Sequence, residues 1–238
     1  MTTLGFTDLS ICDNGFFEIA SLTNIVPGQL VWMPALRPNS DLSLLQIRAI
    51  DPSESSLSYN LVPFSLSESK KKSRPLMTPG KGSTDFYIAT VGKTRLGVVL
   101  QVQAEAWDKF HPREVIFCVP KFTFKPNHDS DFVVKIQTFQ YPDLFYLPPE
   151  PQFGEEESAL RFDHIQGANA DYCVPQKVNN GRDGVKLTEN AYKLMLFHLS
   201  KWLGMPLMDA SFAKLQTLID NYRGLVESEY QKVRVVVK

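Results

Sequence analysis

The sequence predicts an α+β fold: a small β-rich body followed by a pair of helices. Three observations carry this. Over residues 1–150, short β-branched and aromatic runs are broken by Pro, Gly, Asn and Ser, the pattern of many short strands in a barrel or sandwich. After residue 186 the apolar residues change to helical spacing. Between the two, residues 176–186 (Q-K-V-N-N-G-R-D-G-V-K) read as a polar, turn-rich linker. The expected organisation is a β domain over 1–175 and a helical hairpin over 187–238.

The strands expected in chain order are Gln29–Met33, Leu44–Ile50, Leu57–Phe64, Phe86–Val91, Leu96–Val102, Glu114–Val119 and Phe132–Gln137. Residues 65–85 (S-L-S-E-S-K-K-K-S-R-P-L-M-T-P-G-K-G-S-T-D) interrupt them. Their small polar residues, prolines and glycines cannot support a core, so a mobile loop is expected. That loop carries Lys70, Lys71, Lys72, Arg74 and Lys81 against Glu68 and Asp85, and reads as a phosphate grip or as a solvated loop tip. Residues 141–157, with Pro142, Pro148, Pro149 and Pro151, are expected to be extended and irregular. The following S-A-L-R-F-D-H-I-Q (158–166) suits a short helix or a strand.

The first helix is expected over Leu187–Leu203. Its face is Ala191, Tyr192, Met195, Leu196, Leu199 and Trp202, continuing to Leu203. Thr188 can cap its start, and Gly204 with Pro206 can end it. A second helix is expected over Ala210–Lys232 with Asp209 as N-cap. Its stripe includes Phe212, Leu215, Leu218, Ile219, Tyr222 and Val226. The pair must bury these stripes on the β body or on a partner.

Composition narrows the function classes. The chain has 238 residues, 43% apolar and 21% charged, with a formal net charge of −1. It is long enough to bury a core without staples. Its bulk charge gives no push toward nucleic acid or an anionic membrane, so any nucleic-acid site must be a local patch. Cys12, Cys118 and Cys173 are odd in number and far apart, which argues against a disulfide framework or a zinc site and fits a reducing cytoplasm. The start M-T-T-L-G-F-T-D-L-S has no basic segment and no apolar run of signal length, and no run approaches the roughly 18 apolar residues of a membrane span.

Four short pieces, in order, share a pattern. They are N-I-V-P-G-Q-L-V-W-M-P (24–34), T-R-L-G-V-V-L-Q (94–101), E-V-I-F-C-V-P-K-F-T (114–123) and S-A-L-R-F-D-H-I-Q (158–166). The set resembles the PemK/MazF family of toxin endoribonucleases. The first piece is similar to the family's opening strand. The second is similar to its arginine strand, the third to the strand that ends in V-P before a Ser or Thr, and the fourth to its later D-Q segment. The resemblance implies a compact SH3-like β-barrel, usually dimeric, held in check by an antitoxin-like protein. It also implies cleavage of single-stranded RNA by attack of the 2′-hydroxyl on its own phosphate, with no metal or cofactor. The 35–89 insertion and the helical hairpin are additions to that pattern.

Such a reaction needs a base for the hydroxyl, an acid for the leaving 5′-oxygen and positive charge on the phosphorane. A guanidinium suits the phosphate because it forks onto two oxygens and stays charged. Arg95 matches the family's catalytic arginine, beside an expected turn at Gly92-Lys93-Thr94, although a solvated strand-end arginine has the same sequence appearance. Residue-for-residue matching puts Phe122 at the hydroxyl position. A one-residue shift, with a bulge at Pro120-Lys121, uses Thr123 instead. Lys93, Thr94 and Lys121, with Lys70, Lys71 and Lys72 of the loop, are candidate RNA-contacting residues. Leu96 stands where the family has proline, so a barrel that keeps the groove but serves only as an interaction module is the rival reading. His164 has a suitable pKa for acid–base work, or is a partly exposed strand histidine. Asn127–Asp131 reads as a polar turn rather than a metal loop, and Cys118 as a buried inert thiol.

Overall fold

The computed structural model describes residues 15–36, 43–51, 56–63, 88–89, 92–103, 114–178 and 181–205. Within 213–228 it describes 213, 215–217, 219–221, 223–224 and 226–228. The basic segment with Lys70, Lys71 and Lys72 lies outside these residues, as does Asp209. The chain is a mixed α+β protein dominated by antiparallel sheets. It divides into two compact units, residues 1–34 with 94–238, and residues 35–93.

The second unit contains β3 (Ser43–Asp51), β4 (Ser56–Pro63) and β5 (Ile88–Ala89), a three-stranded antiparallel sheet in the order β4-β3-β5.

The first unit is built on a larger sheet. Its strands are β2 (Leu30–Leu36), β6 (Gly92–Gln103), β7 (Val115–Thr123), β8 (Leu144–Leu147), β9 (Ser158–Arg161), β10 (Gln166–Asn169) and β11 (Val174–Pro175). The hydrogen-bonded path is β11-β2-β6-β7-β9-β8, and β10 also pairs with β7. A separate ribbon joins β1 (Phe17–Ala20) to β12 (Gly184–Leu187), so the expected 176–186 linker ends in a strand. The start of β6 at Gly92 replaces the turn expected at Gly92-Lys93-Thr94.

β7 explains much of the layout. Residues Val115–Cys118 pair with β10, and Lys121–Thr123 pair with β9, on the same edge. The gap between these pairings falls at Val119-Pro120. Phe124 N–H donates to the Glu157 carbonyl at 3.0 Å. By strand alternation Phe122 and Pro120 aim their main-chain groups at that edge too. A proline can stand mid-strand here because its missing N–H falls where no partner strand runs. The one-turn 3₁₀ helix Phe162–His164 links β9 to β10 past the gap.

The sheet is covered on both faces where β6 and β7 meet, at Leu96–Val99 and Cys118–Lys121, so those runs are continuously buried, whereas β2 alternates from Val31 to Leu36. Leu30, Val98 and Val119 enter one core with Phe145, Leu194 and Phe197. Val31, Met33, Val99, Ile116, Cys118 and Cys173 form a second core. Alternation along β6 sends Val98 into the first and Val99 into the second, and the β6–β7 register shifts between Val99 and Gln101. The hydroxyl of Tyr192 donates to the Leu100 carbonyl there at 2.7 Å.

The helices depart from expectation at one place. Phe132–Gln137 is not a strand: α1 runs Ser130–Gln137. Asp129 accepts from the Asp131 N–H at 3.0 Å, and this cap with Asp131 in the first turn outweighs the strand preference of Val133-Val134. Residues 141–157 likewise hold a strand, β8, whose Phe145, Tyr146 and Leu147 are wholly buried. α2 runs Glu189–Trp202, with Thr188 accepting from Ala191 N–H at 3.4 Å and Gly204 in the left-handed region at φ 67°. The described residues of 213–228 are helical, and Ile219 and Val226 lie in the same core as α2.

Candidate functional site

A cleft of about 500 Å³ opens beside the β7 gap. Four pieces of chain build it. β6 contributes Arg95, and β7 contributes Pro120, Lys121 and Phe122. The end of β9 contributes Arg161, and the 3₁₀ turn after it His164. The segment around α1 contributes His128, Phe132, Tyr141 and Asp143. Arg95 is half-buried and has no hydrogen-bond or ion-pair partner among the described residues.

The cationic end is ordered by local chemistry. Arg161 donates to both carboxylate oxygens of Asp163, Nε to Oδ1 at 3.0 Å and Nη2 to Oδ2 at 2.5 Å. Asp163 Oδ2 also lies 3.5 Å from His164 Nε2. The imidazole is held below its usual pKa, first by burial, then by the Arg161 guanidinium. Asp163 opposes this and Arg95 adds to it. The cleft therefore presents a neutral imidazole alongside two guanidiniums near pH 7.

The other end is aromatic. Phe132 and Tyr141 have ring centroids 5.5 Å apart, and His128 and Phe132 6.2 Å. Phe124, packed edge-on to Phe122 at 5.4 Å, supports them from behind. His128 Nδ1 accepts from the Lys125 N–H at 2.9 Å, which fixes its ring.

The C-terminal helices hold the Tyr141 wall. His198 of α2 places Nε2 3.2 Å from the Tyr141 carbonyl and 3.0 Å from the Leu144 carbonyl. Both acceptors are carbonyls, so Nε2 carries the proton. Arg223 Nε donates to the Thr138 carbonyl at 2.9 Å, next to Phe139, whose φ of 56° is unusual for a bulky residue.

Arg95 and Lys121 of the expected residues meet in this cleft. Lys121 is only 8% exposed and is ion-paired with the buried Glu155, so its ammonium is already neutralised. Thr123 is half-buried opposite Ser158 and is not among the cleft residues, whereas Phe122 is. The register is regular through Lys121–Thr123, and the irregularity sits at Leu100 instead. Thr94 is exposed in β6, as is Lys93, which falls in the second unit. Arg161, Asp143 and the aromatic wall were not singled out from sequence. Arg161 stood in the fourth sequence piece, Phe132 in a segment expected as a strand, and Tyr141 at the start of the proline-rich stretch 141–157.

Among the described residues no group of three or more His, Cys, Asp or Glu is placed to hold a metal, and no helix is long and apolar enough to cross a membrane. Comparison of the chain with known protein families, curated proteins and solved structures finds no match.

Proposed function

We propose that this protein binds single-stranded RNA in the cleft and cleaves it without a metal, as a member of the PemK/MazF type. The observation that carries the reading is Arg95, a guanidinium with no acidic partner among the described residues, facing a cleft shared with Arg161, His164 and an aromatic wall. The strand path supports the SH3-like part. Read as β11-β2-β6-β7-β10, its two end strands, β10 and β11, are joined by the single 3₁₀ turn Ala170–Tyr172, around the second core. Gln166 Nε2 of β10 donates to the Pro34 carbonyl of β2 at 3.1 Å, bridging two strands that do not pair.

In this reading Arg95 forks onto the non-bridging phosphate oxygens. His164, neutral near pH 7, accepts the 2′-hydroxyl proton as the 2′-oxygen attacks phosphorus. The phosphorus–O5′ bond breaks, the 5′-oxygen takes up that proton, and a 2′,3′-cyclic phosphate remains. His164 thus takes the place expected for Thr123. Dimer formation and restraint by an antitoxin-like protein belong to the same proposal.

The test is incubation of the protein with diverse single-stranded RNAs in EDTA. Cleavage is expected, and Arg95→Ala, with its circular dichroism unchanged, should lower the rate by roughly 10²-fold. No cleavage by the intact protein removes the enzyme reading. A second reading, a silent barrel acting as an interaction module, is favoured by Phe122 at the hydroxyl position and by the neutralised Lys121. It predicts that RNA is neither bound nor cut.

A further inference from the structure

Two chemically different sets of side chains line one cleft, and with them a carboxylate that the reaction above does not use. Asp143 lines the cleft two residues after Tyr141, and its side chain has no hydrogen-bond or ion-pair partner among the described residues. The neighbouring Arg161 already has a carboxylate partner in Asp163, held through Nε and Nη2. A carboxylate turned into a site for polyanions is unfavourable unless it reads something that donates.

The aromatic wall says what that is. Phe132 and Tyr141 line the same cleft as Arg95, and unpaired bases stack on aromatic side chains. A volume of about 500 Å³ lies within the range of small-ligand pockets. A base held there shares the cleft with Asp143, the carboxylate available to its Watson–Crick edge. Ionised Asp accepts only, through two adjacent oxygens. Guanine alone among the four bases has two neighbouring donors on that edge, N1–H and the N2 amino group. Adenine and cytosine place one donor beside an acceptor nitrogen, and uracil places one donor between two carbonyls. Each of these sets a lone pair against the carboxylate.

We infer that the cleft is a guanine-reading subsite, with the phosphate on Arg95, the base on Phe132 and Tyr141, and its N1–H and N2–H₂ donating to Asp143. This rests on the RNA reading above and adds a base preference to it. Stacking supplies affinity for any base, and the paired hydrogen bonds supply the discrimination.

The experiment is fluorescence anisotropy with end-labelled 2′-O-methyl heptamers, which cannot be cut. Each is a uridine strand with G, A, C or U at its centre. The intact protein should bind the G-containing strand about 10-fold tighter than the other three. Asp143→Asn and Asp143→Ser, each checked for an unchanged melting temperature, should bring the G-to-U affinity ratio below about 2. Binding of all four strands with equal affinity, or a G preference that survives both substitutions, overturns the guanine subsite and leaves the RNA site standing. Failure of the intact protein to bind any strand overturns both.

Discussion

His198 is 4% exposed and ringed by Phe139, Phe145 and Phe162, at centroid distances of 5.1, 6.2 and 5.7 Å. Burial holds its pKa down to about 4, helped by Lys201, against the two carbonyl hydrogen bonds and Asp143, which raise it. The folded value lies below the ordinary 6.5, so between these two pH values the unfolded chain binds more protons. Its contribution is therefore complete above about pH 6.5 and is lost as pH falls toward 4, with a slope of at most about 1.4 kcal/mol per pH unit. Urea unfolding from pH 4 to 8 should show that slope in the wild type, and His198→Gln should flatten it over the same window. Cys118 is another buried titratable group, pushed up to about 12 mainly by burial, as a structural thiol should be.

At the scale of elements, the close pairing of β6 and β7 aims Arg95 at the cleft. Gly97 lies opposite Pro120. A Cβ there would sit 2.8 Å from the Val119 carbonyl oxygen and 3.1 Å from Met33 Sδ. The first neighbour is backbone and cannot swing aside. Gly97→Ala should cost about 1–3 kcal/mol by overpacking, read as a lower midpoint in denaturant. The same crowding should displace Arg95, two residues away, so RNA affinity should fall with stability. α1 carries a related lesson. A β-branched run became a helix because Asp129 supplied the cap and Ile136 a buried contact, both outside the reach of propensity.

Across the whole of the first unit, the C-terminal helices brace the cleft rather than hang from it. Arg223, Glu227 and His198 all reach the 138–144 segment: Arg223 at the Thr138 and Phe139 carbonyls, Glu227 at the Gln140 side chain, and His198 at the Tyr141 and Leu144 carbonyls. The unusual Phe139 backbone is held between these contacts. Arg223→Ala should destabilise the fold by about 1–3 kcal/mol and speed amide exchange across residues 138–144. Exchange that changes nowhere in that segment would show that the brace is not needed.

Local chemistry was readable from the chain itself. The period of Ala191, Met195 and Leu199, with Thr188 before and Gly204 after, determined a capped helix, because each signal acts within a turn or two of its own residue. The apolar runs of β6 and β7 determined strands for the same reason, and Arg95 could be named from its place just before the apolar run of β6. What only the tertiary structure decided is which face each side chain takes and what it meets there. Phe122 rather than Thr123 lines the cleft because β7 keeps its register past Pro120, and one residue of slip would have reversed them. Lys121 lost its free charge to Glu155, 34 residues away, and Arg95 gained His164 and Asp143 across still longer separations. Such pairings depend on strand order and on where a ladder breaks, and no local pattern in a single chain encodes either.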